Sequence, residues 1–70
     1  MMPLNYAQEG EQNIIQRIGG LPELKQHLAD LGFVVGGNVT VVAKVGGNVI
    51  VNVKDTRVAI SQEMAQKIMI

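Results

Sequence analysis

Residues 35–54 read Val-Gly-Gly-Asn-Val-Thr-Val-Val-Ala-Lys-Val-Gly-Gly-Asn-Val-Ile-Val-Asn-Val-Lys. The five residues Val-Gly-Gly-Asn-Val occur in it twice, at 35–39 and at 45–49. The second copy separates two β-branched runs, 39–44 and 49–54, and Gly and Asn tolerate the positive φ that a tight hairpin turn demands. The first copy leads from a helical segment into the first of those runs. Neither copy precedes a helix or carries a Lys-Ser/Thr pair. A phosphate loop needs both, because its backbone amides act together with a helix N-terminus. A repeat architecture needs several units of about twenty or more residues, which a chain of 70 cannot hold. The likeness is turn chemistry used twice, and it predicts a β-hairpin at the centre of the chain.

Working outward, residues 21–31 carry Leu21, Leu24, Leu28 and Leu31 at helical spacing on one face. Pro22 suits the first turn, Glu23 lies near the positive end of the helix dipole, and Gly32 stops the helix so that Phe33 folds back onto the last turn. Upstream, residues 11–18 read as one strand between Gly10 and Gly19-Gly20. Downstream, Asp55-Thr56-Arg57 reads as a turn and Arg57–Ile60 as a short strand. Ser61 then caps a final helical turn running through Glu63, Met64, Ala65, Lys67 and Ile68. Short strands joined by tight turns in so few residues predict a mainly β fold, a small, partly open β-barrel. The amphipathic helix at 21–31 closes one opening, and residues 1–70 form a single domain that depends on one compact core.

Strand alternation places Val39, Val41 and Ala43, and likewise Val49, Val51 and Val53, toward that core. A three-residue Gly46-Gly47-Asn48 loop pairs Ala43 with Val51 and Val41 with Val53. Val42 and Ile50 then become diagonal neighbours on the outer face. Met64 and Met69 read as core packing, since Met fills irregular gaps and its thioether suits Cu(I) better than Fe(II).

Composition removes several function classes. Six basic and six acidic residues give a formal net charge of zero, and Tyr6 and Phe33 are the only aromatics. A nucleic-acid binder needs a basic stripe and often stacking aromatics, so no nucleic-acid partner is expected. A neutral surface leaves weak self-association open. With no Cys, there is neither a disulfide nor a thiolate metal site. The first ten residues lack the basic region and apolar run of a leader, and no stretch has the length to span a bilayer. A cytoplasmic location without membrane insertion is expected. One His and one Ser, with no base near Ser61, leave no material for nucleophilic catalysis, so no enzyme is expected. Glu23, His27 and Asp30, at i, i+4 and i+7 on one helix flank, are the candidate ligands for Fe(II) or another divalent transition metal. The same three side chains also read as a solvated helix flank, and no cofactor is otherwise expected.

The segment Leu28-Ala29-Asp30-Leu31-Gly32-Phe33, followed by Gly36 and Val39, resembles the bacterial ferrous iron transport protein A family, FeoA. Gly10, Glu11, Ile18 and Gly20 are similar to that family's first strand. Val51, Val53, Arg57, Ala59, Ile60, Ala65, Ile68 and Ile70 are similar to its closing strand and helix. Val35 stands where the family usually has Pro, Asp55 where Gly is common, and the central hairpin is shorter. The resemblance implies an SH3-like barrel and a small accessory or regulatory role in Fe(II) uptake. It also implies a protein partner, the ferrous iron permease with its cytosolic GTP-binding domain. Leu31, Phe33, Gly36, Gly37, Val42 and Ile50 are the candidate docking residues. The alternative is a metal-responsive regulatory or peptide-binding module related to the SH3-like domain of iron-dependent repressors.

Overall fold

β-branched residues crowd 38–61, and this part of the chain forms a three-strand meander. The computed structural model of the chain describes residues 1–70. In chain order the strands and helices are β1 (Gln12–Ile14), β2 (Arg17–Ile18), α1 (Pro22–Leu31), β3 (Asn38–Val45), β4 (Asn48–Val53), β5 (Thr56–Ser61), α2 (Gln62–Ala65) and β6 (Ile68–Met69). A 3₁₀ turn at Leu4–Tyr6 precedes them. Four strands make an antiparallel sheet in the order β1-β3-β4-β5, and β2 pairs with β6 in a second, two-stranded sheet. Thirteen buried apolar side chains form one core between the sheets and α1, among them Leu28, Phe33, Val39, Val41, Val51, Val53 and Ile68.

The two copies of Val-Gly-Gly-Asn-Val are two different turns. Val45↔Asn48 closes a two-residue loop, with Gly46 at φ 59 and Gly47 outside the left-handed region. Glycine first and then ordinary backbone is the pattern of a type II′ hairpin, whose twist matches that of the strands it joins. In the first copy the Gly37 N–H donates to the Val34 carbonyl (3.0 Å), and Gly36 sits third in the turn at φ 88. That is a type II turn, which needs positive φ at this position.

Five expectations from the sequence change in the fold, the smallest being the turn expected at Asp55-Thr56-Arg57, which instead takes Lys54 and Asp55 (φ 50 and 61) and leaves Thr56 and Arg57 in β5. The loop takes two residues, not three, and Val42 enters as a β-bulge, with Val41 opposite Val51 and Ala43 opposite Ile50. The expected pairs Ala43–Val51 and Val41–Val53 are therefore not formed. The extra residue turns Ala43 to the outer face beside Ile50. Buried Val41 and Val39 meet buried Val51 and Val53, so the bulge keeps the apolar faces together where an unbroken ladder from this tighter turn would not.

Residues 11–18 are not one strand. The chain leaves the first sheet after Ile14, buries Ile15 and joins the second sheet at Arg17. The Ile15 N–H donates to the Gly37 carbonyl (2.9 Å), and the Gly36 N–H donates to the Ile15 carbonyl (2.8 Å), so the corner is pinned to the glycine turn.

The final helix stops at Ala65. Ser61 Oγ accepts from the Met64 N–H at 3.1 Å, the expected cap, but Ile68 and Met69 pair with β2 as a strand. The apolar seam of α1 is narrower than its spacing suggests. Leu28 is fully buried, Leu24 and Leu31 are half-buried, and Leu21 lies outside the first turn, 74% exposed.

Candidate functional site: the surface around the end of α1

No group of three or more His, Cys, Asp or Glu side chains is placed to hold a metal ion. Glu23, His27 and Asp30 lie exposed on α1 and are not gathered into a donor set. The Asp30 carboxylate instead accepts from Gln26 Nε2 at 2.9 Å, one turn away. The notable surface chemistry lies where α1 ends.

α1 ends in a double hydrogen-bonded stop. The Gly32 N–H donates to the Ala29 carbonyl (3.0 Å) and the Phe33 N–H to the Leu28 carbonyl (2.9 Å), with Gly32 at φ 108. This is the Schellman arrangement, and it directs the residue after the glycine back against the last turn. Phe33 accordingly enters the core beside Leu28, and both are fully buried. Phe33 therefore corrects the set of candidate docking residues: a fully buried ring offers a partner no surface. Leu31 is half-buried against the core. Val42 is held in the bulge, and Ile50 lies between Ala43 and Ala59, its cross-strand neighbours; both are half-buried.

Beyond Phe33 the chain surfaces at once. Val34 and Val35 are exposed, Val35 by 64%, and they lead into Gly36 and Gly37. Through Ile15 this turn is hydrogen-bonded to the strand end that carries Ile14, which is 46% exposed. Exposed apolar residues standing singly are ordinary, but several on one ordered corner mark a candidate contact surface. Sequence reasoning found Gly36 and Gly37 here and missed Ile14, Val34 and Val35. The signal was available in the Val-Val pair between a helix stop and a turn glycine, where neither residue belongs to a strand that could bury it.

Next to this corner lies a groove of about 530 Å³, lined by no hydrophobic residue. Its walls include the backbone of Gly32 and Gly37, and its floor is the outer face of the four-stranded sheet. Gln12, Thr40 and Asn52 stand directly opposite one another on β1, β3 and β4, and Arg57 continues the row on β5. Asn38 joins them from the start of β3, while Lys54 and Asp55 close the groove at the β4–β5 turn. The aliphatic stem of Lys54 runs over Gly32, where a Cβ would lie 3.5 Å from Lys54 Cδ. The side chain thus carries its charge near the negative end of the helix dipole. The chain's side-chain hydrogen bonds run elsewhere, from Asn13, Gln26 and Thr56 and to Ser61. The side chains of Gln12, Asn38, Thr40 and Asn52 have no hydrogen-bond partner within the chain.

Residues 2–70 match the FeoA domain family. The chain belongs to that family. It is 34% identical over 70 residues to the "Putative Fe(2+) transport protein A" of Methanocaldococcus jannaschii, a match spanning all of this chain and 85% of the relative. It is similar to the crystal structure of an iron uptake regulatory protein, FeoA, with TM-score 0.88 and 28% identity over 97% of this chain and 90% of that one. A manganese-dependent transcriptional repressor matches with TM-score 0.86 at 22% identity, over 94% of this chain but 38% of its own. That last likeness is one of fold: the family's SH3-like barrel is also built into larger regulators. No helix of the chain is long and apolar enough to cross a membrane.

Proposed function

We propose that this chain is a non-enzymatic, cytoplasmic accessory protein of ferrous iron uptake. In this reading it acts by docking onto the cytosolic, GTP-binding region of the Fe(II) permease. Membership of the FeoA domain family supports the place in iron transport. The observation that supports docking is the ordered, exposed apolar corner of Ile14, Val34 and Val35 at the Gly36-Gly37 turn. Of the docking residues expected from the sequence (Leu31, Phe33, Gly36, Gly37, Val42 and Ile50), this surface keeps Gly36 and Gly37 and omits the buried Phe33. Its rigidity suits binding: the turn is held by backbone hydrogen bonds to Ile15, so little order has to be gained on association.

The test is an NMR titration of the isotope-labelled chain with the permease's cytosolic domain from the same organism, in nucleotide-free, GDP-bound and GTP-analogue-bound states. The expected result is saturable shifts at Ile14 and Val34–Gly37, with Val35→Lys weakening binding at least about tenfold, the range of a central contact. Val35 is 64% exposed, so the substitution leaves the core intact. A folded chain with no shifts in any nucleotide state overturns the docking reading.

A further inference from the structure

The edge of a sheet is a row of unpaired N–H and C=O groups, and folded chains guard it with short strands, lysines, prolines, bulges or a covering element. Most edges of this chain are guarded. β1 has three residues, and the chain bends away from its end at Ile15. β2 has two residues, and β6 is covered on its far side by Met2 and Pro3. β5 is different: it has six residues, neither Lys nor Pro, and an unbroken ladder to β4. The pair flanking a two-residue hairpin turn is hydrogen-bonded, and the bonded pairs alternate from there. Val53↔Thr56 flanks the turn at Lys54-Asp55, so Thr56, Val58 and Ile60 bond to β4. Gln62 continues that series, its N–H donating to the Gly47 carbonyl at 2.9 Å. Arg57, Ala59 and Ser61 therefore turn their N–H groups outward, where β5 has no neighbouring strand.

A strand added here has to match β5 face by face, because residues directly opposite in a ladder share a face. β5 matches itself. Turned about a two-fold axis through Ala59, a second copy sets Ala59 opposite its counterpart, Val58 opposite Ile60, and Arg57 opposite Ser61. All three outward residues then meet in hydrogen-bonded pairs. Val58 and Ile60 form the intervening pairs, whose Cα atoms lie about 4.5 Å apart. Val58 is half-buried in the single chain, and a β-branched side chain of the second copy covers the rest of it. Ala59, with the smallest side chain of β5, stands at the axis. The two Arg57 side chains lie four residue steps apart, about 14 Å, which is beyond the Debye length of ~8 Å. An axis through Val58 would pair fewer outward residues and bring the two arginines within two steps. A formal net charge of zero adds no overall repulsion between copies.

We propose that the free edge of β5 is a self-association surface, on which two copies of the chain pair β5 to β5, antiparallel, about a two-fold axis at Ala59. The two four-stranded sheets then become one continuous sheet. An edge of this length covers less than the ~1,200 Å² of a stable interface, so the dimer is weak, with Kd about 0.1–1 mM, and forms where the local concentration is high. The apolar corner at Ile14 belongs to β1, at the opposite edge of the sheet, and stays free in both copies. The dimer thus carries two corners, and under the docking reading it engages a partner with two neighbouring sites more tightly than one chain does. The pairing itself does not rest on that reading.

Sedimentation equilibrium of the full chain, from about 10 μM to about 2 mM, is the first test. The expected result is a reversible monomer–dimer equilibrium with no larger species, because a two-fold contact closes on itself. In a mixture of isotope-labelled and unlabelled chain, an NOE between Val58 Hα and Ile60 Hα of different copies should mark the register. Ala59 is exposed, so Ala59→Lys and Ala59→Glu leave the core intact. Each puts like charges opposite one another at the axis and should weaken association by about fivefold. An equimolar mixture of the two variants sets opposite charges there and should associate at least as tightly as the parent. A chain that stays monomeric at the highest concentration overturns the proposal. So does association that Ala59→Lys leaves unchanged, or that the mixture of variants fails to restore. Loss of association in Val35→Lys, with Ala59→Lys unaffected, also overturns it, since the contact would then lie at the apolar corner. If the permease domain instead moves the Arg57–Ser61 amides of a chain that never dimerises, the edge belongs to a partner's strand and self-pairing is wrong. Docking at Val34–Gly37 without dimerisation overturns the pairing alone, and dimerisation without docking overturns the docking reading alone.

Discussion

Replacing Gly32 by Ala separates backbone strain from packing at the point on which the candidate site turns. Gly32 has φ 108 and ψ 3, a conformation L residues rarely adopt. A Cβ there would meet Lys54 Cδ at 3.5 Å, Lys54 Cγ at 3.6 Å and Val53 Cγ2 at 3.7 Å, all ordinary contacts. The penalty is therefore conformational. A non-glycine residue forced into the left-handed region loses about 1–2 kcal/mol. The same change restricts the unfolded chain and returns about 0.4–1 kcal/mol. The net destabilisation is about 1 kcal/mol, which in a domain of this size lowers Tm by roughly 4–8 °C. Gly47→Ala is the control. Its φ is not in the left-handed region and nothing lies within 4 Å of an added Cβ, so it should be neutral or slightly stabilising. Thermal unfolding followed by circular dichroism of the two variants and the parent decides the matter. If Gly32→Ala melts with the parent, or no lower than Gly47→Ala, the Schellman stop is not what places Phe33 and the turn beyond it.

Two further variants test the core. Phe33→Ala removes a fully buried ring, a change that costs about 3–5 kcal/mol. A small single core supplies about that much stability in all, so the variant should lack a cooperative urea transition at 25 °C; a midpoint near the parent's would place Phe33 outside the core. Asn5 is 6% exposed, and its Oδ1 has no hydrogen-bond partner within the chain. Replacing an unpaired buried amide with an apolar group of similar size is neutral or stabilising, so Asn5→Leu should keep or raise the urea midpoint. A loss above about 1 kcal/mol would mean that the carboxamide is satisfied after all.

Features set by neighbouring residues are legible in the sequence itself. Pro22, the leucine spacing and Gly32 bound α1 to within one residue of its observed start, because caps and periodicity act within a turn or two of chain. The glycines of the two Val-Gly-Gly-Asn-Val copies mark turns of different function, since positive φ is a local demand. Ser61 declares its cap for the same reason. Tertiary structure decides what depends on distant partners. The chain leaves one sheet for the other at Ile15 because Gly36 and Gly37, some twenty residues on, hold its backbone groups. Ile68 and Met69 become a strand because β2 offers them a ladder some fifty residues away. The bulge at Val42 reconciles a two-residue turn with buried faces on both strands, a conflict visible only when the two are paired. The candidate site follows the same division. Its turn glycines can be named from sequence, but the burial of Phe33 and the alignment of Gln12, Thr40 and Asn52 require three strands from distant parts of the chain to meet in one register. Local sequence chooses turns and helix ends through the dihedral angles it permits, whereas which side chains face solvent together is settled by long-range pairing.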